Sequence, residues 1–366
     1  MEDDYDPITS KHFLHAFLVM VFVWGSLWSG ITGYKMIVSS QFAHQNLSAV
    51  ANYDGSIGAN NTVETSLVVA TSTNVTNPKA VVSNSKKIKI MIAGDIMLDR
   101  GVRLLGEKYG YDSLFATITP LFAGADIVVA NLEGPITNNK SKTVIGKSKT
   151  GPAMQFTFDP KSTSSLKKAG ITVLSLANNH MDNFGLSGIR ETKSNLDKAG
   201  LKWFGDPFNA TSSALKIEED GFKIAFVGYH AFSKGFENIV ENVRQLKKEN
   251  YFVIVMPHWG EEYSSSTNAT VVSQARALVG AGAGIIAGSH PHVVQERVWM
   301  GGVPVIYSLG NLLFDQHFSK AVDTGNVAEF ELISDSDSVR VNNAKIYETS
   351  LASKRGIDVN YEGIDF

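Results

Sequence analysis

Seven polar residues, gathered at the ends of five apolar runs, hold most of the chain's chemical potential: Asp95, Glu133, Asn179, His180, His258, His290 and His292. Carboxylate, amide and imidazole donors in this mixture suit Mn, Fe or Zn, and a pair of divalent ions about 3.5 to 4 Å apart supports hydrolysis. Such a pair needs a carboxylate to bridge it, imidazoles to cap each ion and an open position for water; Asp95 or Glu133 could bridge. In GSHPH, residues 288–292, His290 and His292 stand two apart and can reach one face of a site if the backbone turns at Pro291. His258 precedes Trp259 and Gly260, neighbours that could equally make it a packing element. Asn178-Asn179-His180 sets an amide ligand beside a histidine able to protonate a leaving group, with Asp182 available to orient the ring. The same residues also read as an Asx-rich turn that caps the following helix.

Strands must carry these groups. KKIKIMIAGD ends at Asp95, ADIVVANLE at Glu133, ITVLSLANNH at His180, YFVIVMPHW at Trp259 and AGIIAGSHPH at His292. Each run has the β-branched, apolar content of a buried strand. Helix-like stretches lie between them, Gly185 to Ala199 and Ser273 to Ala281, so the alternation predicts an α/β fold. Ligands of an open α/β sheet gather beyond the carboxyl ends of its strands, where the five clusters are expected to meet.

Composition narrows the classes. With 43% hydrophobic and 19% charged residues the chain can bury a sizeable core, and a net charge of -3 shows no basic excess, so no nucleic-acid partner is expected. Without cysteine there is no disulfide framework, thiolate zinc site or cysteine nucleophile. The GAGAG run at 280–284 has no Walker lysine, and no Gly-X-Ser-X-Gly elbow supplies a serine nucleophile.

A short segment, 1–12, precedes a run from Phe13 to Tyr34 that contains no Asp, Glu, Lys or Arg. A helix of that length crosses a bilayer, so 13–38 is expected to be a transmembrane anchor, with a cleaved signal peptide as the competing reading. Lys11 and Lys35 flank the run almost symmetrically and leave its orientation open. Residues 39–86 read as a flexible Ser/Thr/Asn-rich linker. Asn-X-Ser/Thr triplets stand at Asn46, Asn60, Asn74, Asn209 and Asn268. A folded domain is expected over 87–335, with a C-terminal extension over 336–366.

Six segments resemble, in order, the signatures of the CapA family of poly-γ-glutamate capsule synthesis proteins. They are GDIMLDR (94–100), ANLEGPIT (130–137), ANNHMDNFG (177–185), HWGEEY (258–263), AGSHPHVVQ (287–295) and YSLGNLLFDQ (307–316). The resemblance covers about Ile88 to Gln316. It implies a layered α/β/β/α metallophosphoesterase-like sandwich preceded by one transmembrane helix, with the C-terminal domain outside the cytosol. It further implies a role in making or exporting poly-γ-glutamate, with membrane synthase or ligase subunits, the anionic polymer and membrane lipid as partners. Carried over by position, Asp95, Glu133, Asn179, His258, His290 and His292 become metal ligands and His180 a candidate acid. Arg100, Asn178 and Asn311, within the same motifs, become candidate substrate contacts. One departure matters: ordinary phosphoesterases of this superfamily begin with Asp-X-His, whereas Asp95 is followed by Ile96 and Met97, so one imidazole is missing. Two functions fit. Either the domain binds and guides an anionic polymer, or it is a metal-dependent hydrolase that cleaves an amide or phosphoester bond with a metal-activated water, His180 or Glu262 assisting proton transfer.

Overall fold

The computed structural model describes residues 86–143, 154–334, 338–351 and 356–366. The expected anchor, 13–38, and the linker up to residue 85 lie outside the described residues. No helix among the described residues is long and apolar enough to cross a membrane.

Strand β1 (Lys86–Ile96) leads into helix α1 (Arg100–Tyr109) and two short helical segments, α2 (Tyr111–Phe115) and α3 (Thr119–Phe122). Then come β2 (Ile127–Leu132), α4 (Ser162–Lys168), β3 (Val173–Ser175), α5 (Gly185–Ala199) and β4 (Lys202–Phe204). A second series holds β5 (Leu215–Glu219), β6 (Phe222–His230), α6 (Phe236–Lys248), β7 (Phe252–His258), α7 (Ala269–Ala281) and β8 (Ala283–Ala287). The chain closes with β9 (Arg297–Met300), β10 (Val303–Ile306), β11 (Asn311–Leu313), α8 (Lys320–Asp323), β12 (Thr324–Ser334), β13 (Val339–Ser350), β14 (Asp358–Val359) and β15 (Ile364–Asp365).

The strands form two sheets. One runs β14-β13-β12-β1-β2-β3-β4, with β11 added to β1 and β15 to β13; the other runs β5-β6-β7-β8-β10-β9. The five apolar runs are therefore divided between two sheets: β1, β2 and β3 belong to the first, β7 and β8 to the second. Each group is parallel within its own sheet, so the carboxyl ends of neighbouring strands lie side by side.

Period-two alternation explains how the sheets stack. Along β1, Met91 and Ala93 point into a core with Phe115, Phe122, Leu166 and Ile189 from the helices α2 to α5. Ile90 and Ile92 point the other way, into a core shared with Ile224, Phe226, Ile254 and Ile285 of the second sheet. On that sheet's outer face Val227, Val253 and Val255 meet Ile239 and Val243 of α6 and Val271, Ala275 and Leu278 of α7. The result is four layers: helices, sheet, sheet, helices. Both sheets are covered on both faces, which is why their parallel strands read as continuous apolar runs.

Local signals place the helices. Asn268 caps α7 by accepting a 3.0 Å hydrogen bond from the Val271 N–H, and left-handed Gly282 ends it. That triplet asparagine is a helix cap. Asn209, another triplet asparagine, is buried, and its side chain clamps the turn after β6 by pairing with both backbone groups of His230.

The C-terminal extension expected over 336–366 supplies strands to the first sheet. β13 pairs with β12 from Thr324↔Ser350 to Ser334↔Val339, and β14 and β15 pair with β13. These strands belong to the first sheet, where the long β12–β13 pairing covers a strand edge that would otherwise stay open.

Candidate metal centre

Asp95 is the hub of the site. Its Oδ1 accepts from the Asn131 amide at 2.7 Å, and its Oδ2 accepts from the His290 backbone N–H at 3.1 Å. His292 Nδ1 lies 3.4 Å from Asp95 Oδ2, and its Nε2 lies 3.6 Å from Glu133 Oε1. Asp95, Glu133 and His292 are all buried and together form a group of metal-ligating geometry. A second such group, Glu262, His290 and His292, shares His292 and opens to solvent through Glu262.

A third set of contacts joins the two sheets. His258 Nε2 is 2.9 Å from Asn179 Oδ1 and 3.2 Å from His290 Nδ1, while its Nδ1 is 3.0 Å from Ser289 Oγ. Ser289 can accept from Nδ1 and so leave Nε2 turned toward the cluster, the arrangement in which a neighbour fixes a ligating imidazole. Asn131 Nδ2, which donates to Asp95 Oδ1, stands 3.3 Å from His258 Nδ1 and brings the two parts of the site side by side.

The backbone at GSHPH is itself specialised. His290 has φ +99° and His292 has φ +57°, a region that disfavours residues with a Cβ. Such strain costs about 1 to 3 kcal/mol per residue and persists only where surrounding contacts enforce it. Here the Asp95 carboxylate holds the His290 N–H, and the Asn311 amide donates to the His292 carbonyl at 3.3 Å. The expected turn at Pro291 is present and delivers both imidazoles to one site.

Electrostatics favour a cation. Burial drives the Glu133 carboxyl well above its usual range, and neither of its oxygens has a hydrogen-bond partner. Burial opposes a charge on His292, but Glu133, Asp95 and Asn311 outweigh it and raise the ring to about 9. Two carboxylates with one imidazole thus call for positive charge between them, which a divalent ion supplies more fully than a proton. Burial pushes His290 down to about 3 and His258 well below its ordinary value, so both rings are neutral and keep a lone pair for a metal. The donor set therefore fits a divalent cation.

His180 stands beside this cluster, with Nε2 4.0 Å from Glu133 Oε1. Burial lowers it to about 4. Its orienting partner is not Asp182, as expected, but Asn183, whose Oδ1 lies 3.2 Å from His180 Nδ1. The turn after His180 sends Asp182 out to solvent and brings Asn183 under the ring. Glu262 reaches the histidines of the open group, so ligand geometry describes it better than a remote proton carrier.

Two expected substrate contacts are corrected. Asn178 is fully buried, donating to Asn131 Oδ1 at 3.1 Å and to the Leu132 carbonyl at 2.8 Å while accepting from the His180 N–H. Asn311 is equally buried; its Oδ1 lies 3.0 Å from His292 Nδ1. Both amides are consumed in positioning ligands and present nothing to a substrate. Arg100 is different. It is half-buried at the rim, paired with Asp315, and its guanidinium carbon lies 5.1 Å from the Phe156 ring and 5.4 Å from the Phe314 ring.

Sequence reasoning missed Asn131, Ser289, Asn183 and His230. Asn131 stands two residues before Glu133, on the same face of the strand, and pairs in register with Asp95. His230 ends an apolar run, FKIAFVGYH, and sits in register with His258 on the adjacent strand. His230 fits the strand-end pattern that identified the others, whereas Asn131 lies inside its strand.

Fold and site together define an α/β/β/α protein with a carboxylate–imidazole centre at the carboxyl ends of two stacked sheets. The chain belongs to the bacterial capsule synthesis protein family PGA_cap, whose profile matches residues 89–316. It is similar to the PGA biosynthesis protein CapA of Bacillus subtilis, with 31% identity over 268 residues, 68% of this chain and 69% of the relative. It is also similar to the capsule biosynthesis protein CapA of Bacillus anthracis, with 31% identity over 265 residues, 66% of this chain and 64% of the relative. Among solved structures, the calcineurin-like phosphoesterase YfkN of Bacillus subtilis aligns with a TM-score of 0.44 and 16% identity, over 74% of this chain and 92% of that one.

Proposed function

We propose that this protein acts in the synthesis or export of poly-γ-glutamate, with its folded domain binding the anionic polymer at a divalent-metal centre. The observation that carries the reading is the buried Asp95–Glu133–His292 cluster, placed within a family defined by capsule synthesis. Two ions, of Mn, Fe or Zn, suit the donors: Asp95, Glu133 and His292 would hold one, and Glu262, His290 and His292, with His258 and Asn179 beside His290, the other. Bound there, the metal supplies positive charge that attracts carboxylates and polarises an oxygen ligand. In this reading residues 13–38 anchor the chain in the membrane beside the subunits of a poly-γ-glutamate ligase, with the domain outside the cytosol.

One feature supports the alternative, a hydrolase acting on an amide or phosphoester bond. His180 is neutral, donates its Nδ1–H to Asn183 Oδ1 and turns an unprotonated Nε2 toward the cluster, the placement needed to take a proton from an attacking water. The missing imidazole at Met97 weighs against ordinary phosphatase chemistry: the Met97 side chain is buried in the apolar core and its sulfur receives the Asp99 N–H.

Deleting the gene in the native host is expected to abolish γ-linked glutamate polymer, with recovery on return of the wild-type chain but not of Asp95→Ala. Undiminished polymer in the deletion strain would refute the reading. His180→Asn separates its two forms: full polymer production with intact metal binding removes the hydrolase, and loss of polymer with intact metal supports it.

A further inference from the structure

His230 has no place in either metal-ligating group, yet the fold takes care to position it. The residue is 6% exposed, and its Nδ1 is buried with no hydrogen-bond partner. Asn209, itself left-handed at φ +57°, accepts from the His230 N–H at 2.8 Å and donates to the His230 carbonyl at 2.9 Å. The same amide reaches the carbonyls of Ser233 at 3.4 Å and Lys234 at 3.0 Å, so one side chain pins the whole turn. That turn carries Phe232, a large apolar side chain left 54% exposed. Leaving a buried ring nitrogen unpaired costs stability, and so does ordering a turn that holds an aromatic ring in water. Neither helps the core.

A continuous row of ring contacts shows where these two residues point. The Arg100 guanidinium carbon is 5.4 Å from the Phe314 ring centre, and Phe314 is 4.8 Å from His292. His292 is 5.9 Å from His290, His290 is 4.4 Å from Phe232, and Phe232 is 5.5 Å from His230. The row crosses the metal cluster, with Arg100 at one end and His230 at the other. A compact ligand sitting on the cluster would touch the centre of this row. Only an extended one would engage both ends.

We propose that His230 and Phe232 form a second binding subsite, across the cluster from Arg100, for a neighbouring unit of an extended acidic polymer. The proposal rests on the polymer-binding reading and adds to it the direction of the chain. A unit with its carboxylate at Arg100 would place the next over the cluster and a third beside Phe232. There the imidazole of His230, turned so that its unpartnered Nδ1 faces outward, exchanges a hydrogen bond with a carboxylate or amide, while the Phe232 face covers the methylene stem.

The test is the length dependence of binding to the Mn-loaded full chain, measured by calorimetry with γ-linked glutamate oligomers of one, three and six units. Wild-type affinity should rise about tenfold or more from one unit to three, the worth of one added hydrogen bond with apolar contact. His230→Leu should flatten that rise with metal content unchanged, and His230→Gln, which keeps a donor and an acceptor, should restore most of it. Phe232→Ala, at an exposed position, should lose part of the rise and carries the test should His230→Leu not fold. A rise preserved in both His230→Leu and Phe232→Ala would overturn the subsite and leave the polymer-binding reading intact. No binding of any oligomer by the wild-type chain would overturn that reading and the subsite with it.

Discussion

Gly94→Ala is expected to cost the protein at least about 4 kcal/mol, an effect at the extreme of single substitutions. Gly94 immediately precedes Asp95, at the point where β1 takes on β11. A Cβ there would lie 1.9 Å from the Gly310 carbonyl oxygen and 2.9 Å from its carbon, and no flexible side chain is available to give way. Relief requires β1 and β11 to part. Their separation would break the 3.1 Å hydrogen bond from the Asp95 N–H to the Gly310 carbonyl and the Asp95↔Asn311 register. Asn311 positions His292, so the same displacement would pull apart Asp95 and His292. Chemical denaturation of the full chain, with and without added Mn, reads both consequences: a lower midpoint and no stabilisation by metal. A loss under about 1 kcal/mol with metal stabilisation retained would show that the β1–β11 contact does not set the geometry of the centre.

His292→Ala is expected to have the largest effect on metal affinity. This ring belongs to both ligand groups, so its removal damages two sites with one change. Loss of a supporting partner behind a ligand costs about 10- to 100-fold in affinity, and loss of a shared ligand should exceed that range. A second consequence follows in the metal-free protein. Without His292, the Glu133 carboxyl, which burial already holds well above its usual range, loses the imidazolium that opposes that shift and is driven further up. Calorimetric titration with Mn would give the affinity. Binding weakened less than tenfold would mean that His290 and His258, rather than His292, dominate the centre.

Much of this centre was legible because strands advertise their ends. An apolar run that stops at a polar residue places that residue at a sheet edge, and Asp95, Glu133, His258, His290 and His292 all obey the rule. His230 obeys it too, at the end of a run, FKIAFVGYH, that differs little from YFVIVMPHW. Asn131 was hidden inside its run because a single amide in an apolar strand gives no sign of facing a carboxylate on the neighbouring strand. Choosing between Asp182 and Asn183 required the turn itself. Charge favours aspartate as a histidine partner, but the turn exposes Asp182 and buries the Asn183 contact. Asn178 and Asn311 read as candidate substrate contacts because a sequence does not reveal that an amide's hydrogen bonds are already used.

The division into two sheets was less accessible. Strand runs carry no mark of which sheet they join, and pairings such as β1 with β12 link residues more than 200 positions apart. The C-terminal strands are hard to place from sequence for the same reason: β13 alternates buried and exposed positions only weakly, and its membership in the first sheet depends on β12. Period two within β1, by contrast, was enough to build the layers once the sheets were known.

The most direct test of the account is the metal content of the purified full chain, measured by elemental analysis beside Asp95→Ala. The account predicts a stoichiometric transition metal in the wild-type protein and its loss in the variant. A well-folded wild-type chain that neither contains nor takes up Mn, Fe or Zn would contradict it, leaving the buried carboxylates and imidazoles without the cation their arrangement requires.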